Sequence, residues 1–151
     1  MKIYLDASCL NRPFDDQDQV RVRLESEVVV LISERIDSGE WEEVSSEMMV
    51  WEIAAIPDAA RRERVEELLP PKSRCARLTG ETYRRAAVLE SLGFKPADAV
   101  HIAAAEEQRA DVLLSCDDRM CRTARRQRAK LHVKVLNPVD WLREIDDGAN
   151  G

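Results

Sequence analysis

Short aliphatic runs punctuate this chain, and between them apolar residues recur near every third or fourth position. Ile3-Tyr4-Leu5, closed by Asp6 and a polar loop with Pro13, predicts a buried first strand. Val20, Leu24, Val28, Leu31, Ile32 and Ile36 follow helical spacing, so a helix is expected from Gln19 to Ser38, with Gly39 as its stop. Trp41 to Val44 reads as a second strand. Ser45 and Ser46 are candidate N-caps for the apolar helix that carries Glu52 and ends at Pro57. Asp58 to Leu69 is a charged surface helix halted by Pro70-Pro71.

The second half repeats the alternation. Cys75 to Leu78 reads as a minor strand, and Thr79 caps a helix through Leu92 that Gly93 terminates. Pro96 opens an alanine-rich helix from Ala97 to Gln108. Val112 to Ser115 is a buried strand, followed by a basic helix from about Asp118 to Ala129. Val133 to Leu136 is the last strand, and Asn137-Pro138 starts a short helix with Trp141 and Leu142. Residues 146–151 read as a disordered tail, leaving one domain over 1–145. Strands alternating with helices at these lengths predict an α/β fold with a mainly parallel sheet covered on both faces. Ligands of such sheets bind beyond the carboxyl ends of the strands.

Four carboxylates break this pattern. Asp6 ends the first apolar run, Glu52 sits inside Met48–Ile56, Asp98 precedes Ala99–Ala105, and Asp117 follows Val112–Cys116. A carboxylate taken from water without a partner costs several kcal/mol. No run of lysines is interleaved to neutralise the set, whereas a divalent ion would do so. Hard oxygen donors suit Mg²⁺ or Mn²⁺ rather than Zn²⁺. The pattern therefore points to metal-dependent phosphoryl transfer.

Composition narrows the class without changing it. With 151 residues, 44% hydrophobic and 34% charged, the chain has the size and balance of one soluble domain. A net charge of −6 does not advertise a nucleic-acid binder, although binding surfaces act locally. The N-terminus reaches Asp6 too soon for a signal peptide, and Val28–Ile32 is too short to span a membrane, so a cytoplasmic protein is expected. Cys9, Cys75, Cys116 and Cys121 lack paired zinc-ligand spacing and read as reduced thiols.

The blocks Leu5-Asp6-Ala7-Ser8, Trp51-Glu52-Ile53, Ala97-Asp98-Ala99-Val100-His101 and Leu114-Ser115-Cys116-Asp117 resemble, in order and spacing, the four acidic blocks of PIN-domain nucleases. The resemblance implies a three-layer α/β/α sandwich and metal-dependent hydrolysis of RNA to 5′-phosphate and 3′-hydroxyl ends. It also implies that Asp6, Glu52, Asp98 and Asp117 form a Mg²⁺ or Mn²⁺ centre. Many small members of the family are VapC-type toxins, so a cognate antitoxin and a homodimer join RNA among the expected partners. Ser8 stands where the family often has Asn, and Ser115 where it more often has Thr; each keeps a hydrogen-bonding group. Asp118 adjoins Asp117 and competes with it for the fourth position.

Two readings compete with the nuclease. One is a catalytically silent PIN-fold module that binds protein or RNA. The other is a haloacid-dehalogenase-type phosphatase, which expects a second Asp where Ser8 stands. Among flanking residues, Asn11 and Arg12 serve either a phosphate or the turn before Pro13. His101, three residues after Asp98, either meets the acidic cluster or hydrogen-bonds within the core. Between Arg119 and Lys134 there is no carboxylate, and Arg122, Arg125 and Arg126 share a helical face suited to an RNA backbone. A solvated helix face and a docking site for an acidic partner are the alternatives there.

Overall fold

The computed structural model describes residues 1–150, with side chains through Gly148. Five strands form the sheet: β1 (Lys2–Leu5), β2 (Glu42–Ser46), β3 (Cys75–Ala76), β4 (Val112–Leu114) and β5 (Lys134–Leu136). All are parallel, in the order β3-β2-β1-β4-β5. Ile3, Tyr4 and Leu5 are all but inaccessible although successive side chains leave opposite faces, so both faces of β1 are covered. The fold is a three-layer α/β/α sandwich, as expected.

The helices are α1 (Ala7–Asn11), α2 (Val20–Asp37), α3 (Glu47–Ala54), α4 (Ala59–Glu66), α5 (Gly80–Ser91), α6 (Pro96–Glu107), α7 (Asp118–Arg126) and α8 (Pro138–Asn150). Helix α5 packs along α6, which in turn lies on β2 and β4, while α2 packs with α8. Trp41 and Trp141 meet edge to face at 5.1 Å beside that second pair. Thr79 caps α5 in a reciprocal box with Thr82, and Gly93 takes φ +111°, so α5 ends where its capping chemistry predicts.

Three expectations need correction. The second strand runs two residues further than expected, so Ser45 and Ser46 belong to β2. Ser46 does precede α3, but its hydroxyl bonds Tyr4 rather than capping the helix. The ladder wins because β2 is paired on both edges. The basic helix stops at Arg126, and a 3-10 turn (Arg128–Lys130) follows. The expected disordered tail is helical to Asn150 as a continuation of α8, whose Trp141 is anchored in the core; Gly151 lies outside the described residues.

The sheet order carries the functional consequence. From β1 the chain moves outward through β2 to β3, then crosses back to place β4 and β5 on the other side of β1. The carboxyl ends of β1 and β4 thus flank the point where winding reverses, which is where open α/β sheets form a crevice.

Candidate active site

Asp6 leaves β1 at that point, its backbone N–H still donating to Leu114 O at 3.1 Å. Its carboxylate is 6% exposed, caps α1 by accepting from Cys9 N at 3.1 Å, and accepts from Ser8 Oγ at 2.5 Å. Ser8 Oγ also accepts from Cys116 N at 2.9 Å and lies 3.4 Å from Ser115 Oγ. Ser115 Oγ in turn accepts from Asp117 N at 3.1 Å. Two hydroxyls therefore lace the loop after β1 to the loop after β4. Asp117 caps α7 by accepting from Met120 N at 3.0 Å. Asp118 turns away and pairs with Arg21 through two bonds of 2.7 and 2.6 Å. Asp117, not Asp118, is thus the acid that stays at the strand end.

Asp98 and Glu52 come from helices. Asp98 lies in the first turn of α6, where the dipole favours an anion. Even so, burial first, and then the charges of Asp117 and Asp6, push its carboxyl up to about 6. Burial pushes Asp6 up as well, against the Ser115 and Ser8 hydroxyls and His101. Asp98 therefore lies in the field of the other two aspartates, which disfavours its charge.

Glu52 joins through a buried relay. Its Oε1 lies 2.9 Å from His101 Nε2, His101 Nδ1 lies 2.7 Å from Tyr4 Oη, and Tyr4 Oη lies 2.7 Å from Ser46 Oγ. If Tyr4 donates to Nδ1, then Nε2–H is left to donate to Glu52, and Ser46 donates to Tyr4, so every group is satisfied. His101 is 2% exposed, and its two nitrogens join the core to the acidic site. Both readings of His101 hold at once. Tyr4 and Ser46 were not anticipated: a phenol in an apolar strand and a serine beside a helix start gave no sign that they would meet.

The flanking residues divide. Asn11 holds its own turn, donating to Ala7 O at 2.9 Å, and Arg12 pairs with Asp15 and buried Glu25. Both side chains are engaged within the chain. Arg122 and Arg125 line an open cavity of about 300 Å³ together with Arg21, Glu25 and Asp118. Arg126 is exposed beyond it and faces Thr123. Arg21 is the cation that sequence reading missed, because its partner lies 97 residues away.

A family model described as PIN domain matches residues 3–126. The chain belongs to the PIN-domain family. No curated protein matches it. PIN domains are generally nucleases and often metal-dependent, so the phosphatase alternative lapses. No described helix is long and apolar enough to cross a membrane.

Among the described residues, no three acidic, histidine or cysteine side chains stand close enough to hold one ion. What fits a cation in this PIN domain is the electrostatics: hard oxygen donors, among which Asp98 feels a repulsion from Asp117 and Asp6 that a divalent charge would relieve. The same repulsion sets a stability test. Because the folded carboxyl of Asp98 titrates near 6, above its ordinary value of 3.8, the folded state holds its proton more tightly. Its ionisation then erodes metal-free stability as pH rises from about 4 to 6. We expect Asp98→Asn to be more stable than wild type by roughly 1–2 kcal/mol at pH 7.5 in EDTA, allowing for solvent screening. The gain should vanish below pH 4 in thermal melts, and a lower melting temperature at pH 7.5 would indicate a structural ion pair instead.

Proposed function

We propose that this PIN domain is a Mg²⁺- or Mn²⁺-dependent endoribonuclease. The observation that carries the reading is the shared field of Asp6, Asp98 and Asp117 at the sheet's switch point. In this reading Asp6 and Asp98 bind the ion directly, with Asp117 direct or through water. An ion bound there supplies charge neutralisation and a water of lowered pKa. Mg²⁺ keeps several waters, so few protein oxygens are needed. Glu52, oriented by His101, holds water by accepting its hydrogen bond, while Ser8 and Ser115 fix the two loops that carry Asp6 and Asp117. The test is cleavage of a mixed RNA pool with Mg²⁺ or Mn²⁺. Asp6→Asn and Asp98→Asn should each lose about 10²-fold or more of the rate while staying folded. Cleavage at the wild-type rate by either variant would overturn the assignment.

RNA approach is assigned to the basic helix, supported by the exposure of Arg122, Arg125 and Arg126 and the nearness of Arg21. Phosphate contacts position a strand without reading it. A triple Arg→Gln variant at these three positions of α7 should bind all RNA sequences more weakly. Its log–log salt slope should flatten by about 0.7 per lost contact. An unchanged slope in Ca²⁺ would move RNA binding elsewhere.

A toxin role, with a cognate antitoxin as regulator, and a homodimeric state extend the same proposal. Val20, Leu24, Trp51, Tyr83 and Val88 leave apolar surface exposed on α2, α3 and α5. Light scattering at high micromolar concentration should give twice the mass of one chain; a monomer there would remove the dimer.

A further inference from the structure

At the opposite end of the sheet from Asp6 sits an acid that the nuclease reading does not use. Glu43 is the register partner of Ile3 on β2, and it is 7% exposed. Its Oε2 has no hydrogen-bond partner. Buried carboxylate oxygens are ordinarily satisfied, because leaving one bare forfeits its hydration with no return. A cavity of about 260 Å³ opens beside it, carrying Asp37 at the end of α2 and Glu67 just after α4. Ile36, Leu68 and Pro70 supply apolar wall. Arg74 lines the same cavity but does not hydrogen-bond Glu43 Oε2.

Once Glu43 is ionised, three acids face one arginine, and a further positive charge would balance them. The aliphatic wall beside the acids suits the stem of an organic cation. The cavity lies below the roughly 300–1,000 Å³ of drug-sized ligand sites, which limits the guest to one extended head and stem. We propose that this cavity binds an alkylguanidinium or alkylammonium group, its charge on Glu43 between Asp37 and Glu67 and its stem against Ile36, Leu68 and Pro70. A free small amine and the Arg or Lys side chain of a partner share that chemistry. The site stands independently of RNA cleavage.

Titration supports the geometry. Burial, and then the charge of Asp37, push Glu43 up to about 8 against the pull of Arg74; Glu67 is the other charged group facing the cavity. At pH 6.5 the empty site is mostly protonated, and a cation must displace that proton. Affinity therefore rises with pH to about 8 and levels off above it, with proton uptake by buffer on binding below that point.

The experiment follows backbone amide shifts by NMR as n-butylguanidinium, n-butylammonium or an acetyl-Gly-Arg-Gly-amide peptide is added in EDTA at pH 6.5 and 8.5. Saturable shifts confined to the amides of Asp37, Glu43, Leu68, Leu69 and Lys72–Arg74 are expected, stronger at pH 8.5. Glu43→Gln should weaken binding about ten- to hundredfold, and the rim variant Asp37→Asn, at an exposed position, should weaken it less. Arg74→Gln should strengthen it by removing the competing charge. Tighter binding of the peptide supports a partner's side chain as occupant, and tighter binding of the free cation supports a small amine. No saturable shift at either pH, or equal binding by wild type and Glu43→Gln, overturns the proposal.

Discussion

The site depends on β1 being held along both edges. Pairing with β2 and β4 buries Ile3, Tyr4 and Leu5 and leaves the chain a single exit, at Asp6. The Asp6 N–H remains on the ladder through Leu114 O, which fixes its backbone, and bonds from Ser8 Oγ and Cys9 N hold the carboxylate. The apolar core therefore holds together charges that would separate in water. Burial raises both Asp6 and Asp98, and Asp98 also carries the repulsion of Asp117 and Asp6.

Around this point, neutral groups do the positioning. Ser8 and Ser115 connect the two strand-end loops through hydroxyls, which can donate to one neighbour and accept from another without adding charge. His101 spans the layer between Tyr4 and Glu52 in the same way. An arginine in any of these places would quench the field of the aspartates. The arginines stand further out: Arg21 is held by Asp118 and Glu25, with Arg122 and Arg125 beside it. Arginines and acids thus alternate around the cavity they line, while hydroxyls and an imidazole hold the aspartates.

The opposite end of the sheet is organised differently. Glu43 projects from the same strand that delivers Ser46 to the relay, yet it meets a small acidic cavity without hydroxyl partners. Two buried acids on adjacent strands thus meet different fates. Asp6 is satisfied by the start of a helix and a serine, while Glu43 has a void beside it.

The sequence by itself determined the element order, the parallel α/β class and the capping at Thr79 and Gly93, because these rest on local periodicity and on φ, ψ preferences that neighbours impose. It also marked Asp6, Glu52, Asp98 and Asp117, since a charge inside an apolar run is anomalous wherever the chain goes. Tertiary structure alone decided what those charges meet. The Tyr4–His101–Glu52 relay, the Ser8–Ser115 lacing and the Arg21–Asp118 pair join residues 49 to 107 positions apart, and no local pattern encodes which side chains will converge. The same holds for Ser46, whose short-range signal as a cap lost to a ladder and a phenol brought from another strand. Local propensity is settled within a few residues, whereas burial and charge pairing are settled by distant ones.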